Sequence, residues 1–214
     1  MNDFLLVGIS FAGGLIVGVP LAQLTSRLSE TRQQLESAPG RRSLFVDPAL
    51  QVFQALTLAL LAARFGPTPQ LAIYGVLSLV LTVVLFVDLR THFVYGIVAY
   101  PGILIGIVLS PIAQGSPFWE GLASAALGGL VFGALYGVGR LLYRGGVPLA
   151  SGDIIIAALV GSIVGTQHLA LALFLGVFLS GALAIGYAVR RRSLNVYLPY
   201  GPGLCLGALI ALLR

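Results

Sequence analysis

The sequence predicts an all-α, polytopic membrane protein of about eight transmembrane helices, forming one domain over residues 1–214. Three observations predict it. First, 58% of the 214 residues are hydrophobic and only 9% are charged, whereas soluble domains carry about 25% charged residues. A chain so poor in charge cannot cover a water-facing surface, so its solvent must be mostly lipid. Second, apolar runs long enough to approach the ~30 Å of a bilayer core recur at 4–24, 46–64, 70–88, 93–112, 118–140, 149–167, 169–189 and 198–213. Third, the basic residues alternate between the loops that separate those runs.

That alternation tests the count. All twelve basic residues are arginine. Arg27, Arg32, Arg41 and Arg42 follow the first run, Arg90 follows the third, and Arg140 and Arg144 the fifth. Arg190, Arg191 and Arg192 follow the seventh. The remaining loops and the C-terminus hold only Arg64 and Arg214. Under the positive-inside rule the odd loops are cytoplasmic and both termini lie outside, which expects an inner (cytoplasmic) membrane protein. A net charge of +5 therefore reads as a topology signal. Without a contiguous basic face interleaved with aromatics, nucleic-acid binding is not expected.

Each element has its own reason. Phe4 to Leu24 exceeds a signal-peptide core of about 7–15 residues and follows Asp3 rather than a basic segment, so it reads as a retained helix. Thr25 to Leu44 is the one sizeable polar segment. Its first half can prolong the first helix until Pro39-Gly40 stops it, and it is too short to be a domain. Gly129, Gly133 and Gly137 recur every fourth residue in the fifth run, on one helix face, as packing against a neighbouring helix requires. Trp119, Tyr95 and Tyr197 fall near span ends, as interfacial anchors do. Cys205, the single cysteine, excludes an internal disulfide and a cysteine-based zinc site, and reads as packing. His92 and His168 lie at loop edges and read as solvated.

Among the seven acidic residues, Asp3, Glu30, Glu36, Asp47 and Glu120 lie in loops, termini or helix starts. Asp88 and Asp153 differ. Each is continuous with an apolar span, LVLTVVLFVDLR and ASGDIIIAALVG. A carboxylate near lipid is costly and is by default a functional candidate. Asp88 ends the third run and Asp153 begins the sixth, so both belong to the cytoplasmic side at similar depth. Two carboxyls sharing a site cannot both ionise easily, so one keeps its proton. An aspartic protease needs that pattern: one carboxylate takes a proton from water while its neutral partner polarises the scissile carbonyl. Spacing alone leaves other readings open. Asp153 can cap the sixth helix, Asp88 can pair with Arg90, and a cation- or proton-coupled transport site would use the same residues.

The motifs around these aspartates resemble a known family. VDLRTHFVYGIVAYPGILIG around Asp88 resembles the first aspartate motif of type IV prepilin peptidases. There an aspartate ending an apolar helix is followed by a basic residue, here Arg90. GGVPLASGDIIIAALVG resembles their GxGD motif, with Gly152 and Asp153 retained. YLPYGPGLCLGALIALL is similar to the closing helix of the family, opened by a turn that here is Pro199, Tyr200, Gly201 and Pro202. FVDPALQVFQALTLALLAARFG looks like the family's second helix. The resemblance implies a membrane aspartic endopeptidase with Asp88 and Asp153 as the catalytic pair and no metal or other cofactor. The substrate would be a prepilin or pseudopilin with an apolar N-terminal helix, cut at the cytoplasmic face of the bilayer.

The sequence also departs from the family's pattern. Ala150 stands where GxGD has its first glycine, and the proline that often follows the first motif is replaced around Val94-Tyr95. The long cytoplasmic loop with two zinc-binding cysteine pairs is reduced to 25–44. Near Gly18 the usual polar residues become Val19 and Ala22. That region is associated with N-methyltransferase activity in bifunctional members, so the reading keeps the peptidase and not the methyltransferase. A small transporter or channel, or an inactive peptidase-like scaffold of a pilus or secretion machine, is the alternative.

Overall fold

A computed structural model of the chain describes residues 3–35, 48–142, 150–191 and 200–214. They form seven helical elements: α1 (Asp3–Leu35), α2 (Pro48–Phe65), α3 (Pro69–Thr91), α4 (Gly96–Ala113), α5 (Phe118–Leu142), α6 (Ser151–Arg191) and α7 (Gly201–Leu212). Arg41, Arg42, Arg144, Arg192, Tyr197 and Pro199 lie outside the described residues. So does the second part of the 25–44 segment. Its first part, through Leu35, continues α1 as an unbroken helix.

Local chemistry sets the helix ends. Prolines open α2 and α3 and sit in the first turn of α7, where a missing N–H costs no hydrogen bond. α3 ends where His92 turns into the left-handed region (φ 52°, ψ 34°), its N–H donating to the Asp88 carbonyl. Inside α4, Pro111 denies the Ile107 carbonyl its backbone donor. The Ser110 hydroxyl donates to that carbonyl instead, at 2.8 Å.

Six helices are long and apolar enough to cross a membrane, and α7 is a shorter apolar helix of 12 residues, about 18 Å at 1.5 Å per residue. The expectation of eight spans is not met by helix length alone, and the sixth and seventh runs need correcting. They are one element, α6, interrupted at Gly165 (φ 73°, ψ 172°) rather than at a loop around His168. The chain reverses there. Asp153 lies against the Tyr200 backbone N–H, and the Ser180 hydroxyl donates to the Tyr200 carbonyl at 3.1 Å. In a straight helix those two residues would stand about 40 Å apart.

Gln114, which ends α4, stabilises the break. Its side-chain amide donates to the carbonyls of Ser162 and Ile163, both at 3.1 Å, which the interruption leaves without helical partners. A Cβ at residue 165 would collide with the Gln114 side chain. The backbone there also occupies a region open essentially to glycine alone. Gly165→Ala is therefore expected to destabilise the protein by about 1–3 kcal/mol, read as a lowered Tm in a fixed detergent. Gly133→Ala, helical and with nothing among the described residues within 4 Å of the new methyl, should leave Tm unchanged or raise it. Equal shifts in both variants would refute this account.

The core lies where α6 packs on α5, α7 and α4 and where α3 packs on α7. Small residues allow the close approach: Gly128 meets the Ala157 backbone, Gly161 meets that of Ser124, and Gly207 meets Ala172 and Gly176. Of the expected glycine stripe, a Cβ added at Gly129 would meet the Ala158 methyl at 3.6 Å, whereas at Gly133 and Gly137 it would meet nothing within 4 Å among the described residues. Between α2 and α3, buried Gln54 donates to Ser78 at 3.1 Å and accepts from Thr82 at 2.6 Å. This pairing satisfies the side-chain amide's principal hydrogen-bonding groups where water is scarce. Cys205 is fully buried in the core.

Candidate active site

Asp88 lies in the last turn of α3 and Asp153 in the first turn of α6. Both are buried, at 3% and 4% exposure, and they are close enough to interact electrostatically. They line one cavity of about 180 Å³ with His92, Phe93, Val94, Ala150, Ser151, Gly152 and Ile155. Such a volume holds several waters.

The two carboxyls are held differently. Asp153 Oδ2 accepts the backbone N–H of Ala150 at 2.8 Å, the return half of a capping box, in which an acid at the third helical position reaches back to the N-cap N–H. The Tyr200 backbone N–H also interacts with this carboxylate. Asp153 therefore does cap α6, as one expectation had it, and faces the cavity as well. Asp88 Oδ2 is buried without a hydrogen-bond partner among the described residues. It sits against Gly201, where an added Cβ would overlap it. An unsatisfied buried carboxyl oxygen is costly for stability and rare in a native fold, which marks this atom for a ligand or a reaction.

The motif residues divide. Gly152 is required by space: a Cβ there would meet Val94 Cγ2 at 2.7 Å, so the glycine lets the segment after α3 lie on the first turn of α6. Gly201 makes room for Asp88, and buried Pro202 starts α7 beside it. Arg90 is exposed and does not line the cavity. His92, read as solvated, is exposed yet forms part of the cavity wall. The Tyr200 N–H was not expected, because a backbone donor from a distant segment leaves no local mark. A second cavity of about 180 Å³ lies at the opposite end, around Gly165 and Gln114, away from both aspartates.

The model of the type IV leader peptidase family matches residues 75–185, a stretch holding both aspartates. Over 168 residues the chain is 27% identical to a prepilin leader peptidase/N-methyltransferase of Pseudomonas putida, an alignment covering 78% of this chain and 58% of that protein. Over 179 residues it is 28% identical to a prepilin leader peptidase/N-methyltransferase of Bacillus subtilis (strain 168), covering 81% of this chain and 68% of that protein. No solved structure matches the chain.

Proposed function

The chain belongs to the type IV leader peptidase family, and from that premise we propose that it is a membrane aspartic endopeptidase. Its substrates are prepilins or prepilin-like proteins with an apolar N-terminal helix, and it removes their leader peptide. Asp88 and Asp153 are the catalytic pair. The observation that carries this reading is the pairing of two buried carboxyls in one cavity, one anchored by backbone N–H groups and the other with an oxygen that has no hydrogen-bond partner among the described residues.

The pair acts by dividing one proton. The ionised carboxylate takes a proton from a water held in the cavity, and that water attacks the scissile carbonyl. The protonated partner donates a hydrogen bond to the carbonyl oxygen, where negative charge develops. As the tetrahedral intermediate collapses, the C–N bond breaks and the departing amine receives a proton from the pair. The positive-inside reading of the arginine-bearing loops supports a site at the cytoplasmic face of the inner membrane, with both termini outside. Gly152, Gly201 and Pro202 support the site by close packing; Pro199 completes the motif in sequence.

Incubating the purified protein, in detergent or bilayer discs, with prepilin-type substrates tests the reading. The expected result is one cut at the leader junction, seen as a new N-terminus by mass spectrometry. Intact substrates, with the protein folded, would refute the peptidase and favour a scaffold. Cation uptake into proteoliposomes would favour a transporter.

A further inference from the structure

The four residues 92–95 join α3 to α4, and their position depends heavily on side-chain contacts. On one side, Phe93 and Val94 form a wall of the carboxyl cavity, and Val94 lies directly on Gly152, next to Asp153. On the other side, the Tyr95 hydroxyl donates to the Leu28 carbonyl on α1 at 2.6 Å, across 67 residues of sequence. The Phe93 ring stands edge-on to the Tyr95 ring, with centroids 5.3 Å apart and planes at 80°. Behind the segment is a void of only about 10 Å³ between Leu28, Val87, Val98 and the segment itself. A contact path therefore runs from α1, through Tyr95 and Phe93, to the rim of the cavity.

We propose that Tyr95 is a positioning residue: it braces the 92–95 wall against α1 and so sets the width of the cavity that receives the substrate chain. Phe93, about half exposed at the rim, is the side chain the brace presents to the residue beside the scissile bond. The brace lies away from the atoms that react. Asp153 is held by Ala150 and Tyr200, and Asp88 rests against Gly201. Loosening the wall should thus weaken substrate binding and spare the chemical step. The overall contact of α1 with α3 has its own support in the packing of Leu21, Ala22, Leu50, Val83 and Val87. One hydroxyl is not what holds it.

The kinetic consequence rests on the peptidase reading, so the test has one arm independent of catalysis. Full-length wild type and Tyr95→Phe, which keeps the ring and removes only the donor, are compared by hydrogen exchange and by steady-state cleavage of one prepilin-type peptide. Exchange at 92–95 should quicken roughly 2–10-fold, the range for losing a single neutral hydrogen bond, with no change at 150–156. KM should rise by a similar factor with kcat within about twofold, the signature of lost uniform binding. Unchanged exchange at 92–95 overturns the brace, as does a fall in kcat at constant KM. If wild type cleaves no peptide, the peptidase reading fails and the exchange result alone decides the brace.

Discussion

Asp88→Asn and Asp153→Asn should each lower leader cleavage about 10²–10⁴-fold or more, the range for removing a positioned acid or base. Each substitution preserves shape and removes the capacity to exchange a proton. In Asp153→Asn the amide oxygen can still accept the Ala150 N–H, so the start of α6 stays capped. In Asp88→Asn the affected oxygen position has no hydrogen bond to lose among the described residues. Both proteins should therefore fold, with a Tm close to wild type, and activity alone should collapse. The double variant should be little worse than either single one, because the two residues act as a unit. Wild-type cleavage by either single variant would end the assignment of that aspartate. Multiplicative losses in the double variant would show two independent contributions instead of a shared proton.

The legible part of the molecule was the part written in local periodicity. Apolar runs, prolines at helix starts and arginine-bearing loops need only neighbouring residues to be understood, and α1 to α5 lie where those runs do. Asp88 and Asp153 stood out because few carboxylates adjoin apolar runs, and topology put them at one end. The reversal at Gly165 was misplaced by a few residues because the apolar run crosses it with no proline. Its signal was the glycine directly before the polar group Thr166-Gln167-His168. What settles the break is Gln114, some fifty residues earlier, and no sequence pattern links the two. The Tyr200 N–H, the Tyr95–Leu28 bond and the place of His92 in the cavity wall were hidden for the same reason. All are juxtapositions that arise from packing helices, and a histidine or tyrosine at a loop edge looks alike whether it faces a headgroup or a catalytic cavity. Arg90, named for its place in the motif, is exposed and is not among the residues lining the cavity.

Two glycines in the first turn of α7 separate the role of the carboxyl from that of the fold. At Gly203 an added methyl would meet the Gly176 carbonyl oxygen at 2.5 Å and the Ser180 backbone nitrogen at 2.7 Å. Backbone cannot swing aside, so α6 and α7 must part. Gly203→Ala should cost about 1–3 kcal/mol or more of stability. At Gly201 the new methyl would meet the Asp88 carboxyl and Ile156 Cδ1, the latter at 2.5 Å. Both obstacles are side-chain ends that can rotate away, so Gly201→Ala should fold with only a small loss of Tm. The rotation, however, moves the Asp88 carboxyl out of its place opposite Asp153. A displacement of about 1 Å in a reacting group can cost on the order of 10²-fold in rate. Cleavage by Gly201→Ala should therefore fall by roughly that factor, while Gly203→Ala should lose activity only in step with its folded fraction. Measuring Tm and cleavage rate for the two variants side by side checks this. Gly201→Ala working at the wild-type rate would mean that the chemistry does not depend on where Asp88 now lies, and the paired-carboxyl mechanism would fall with it.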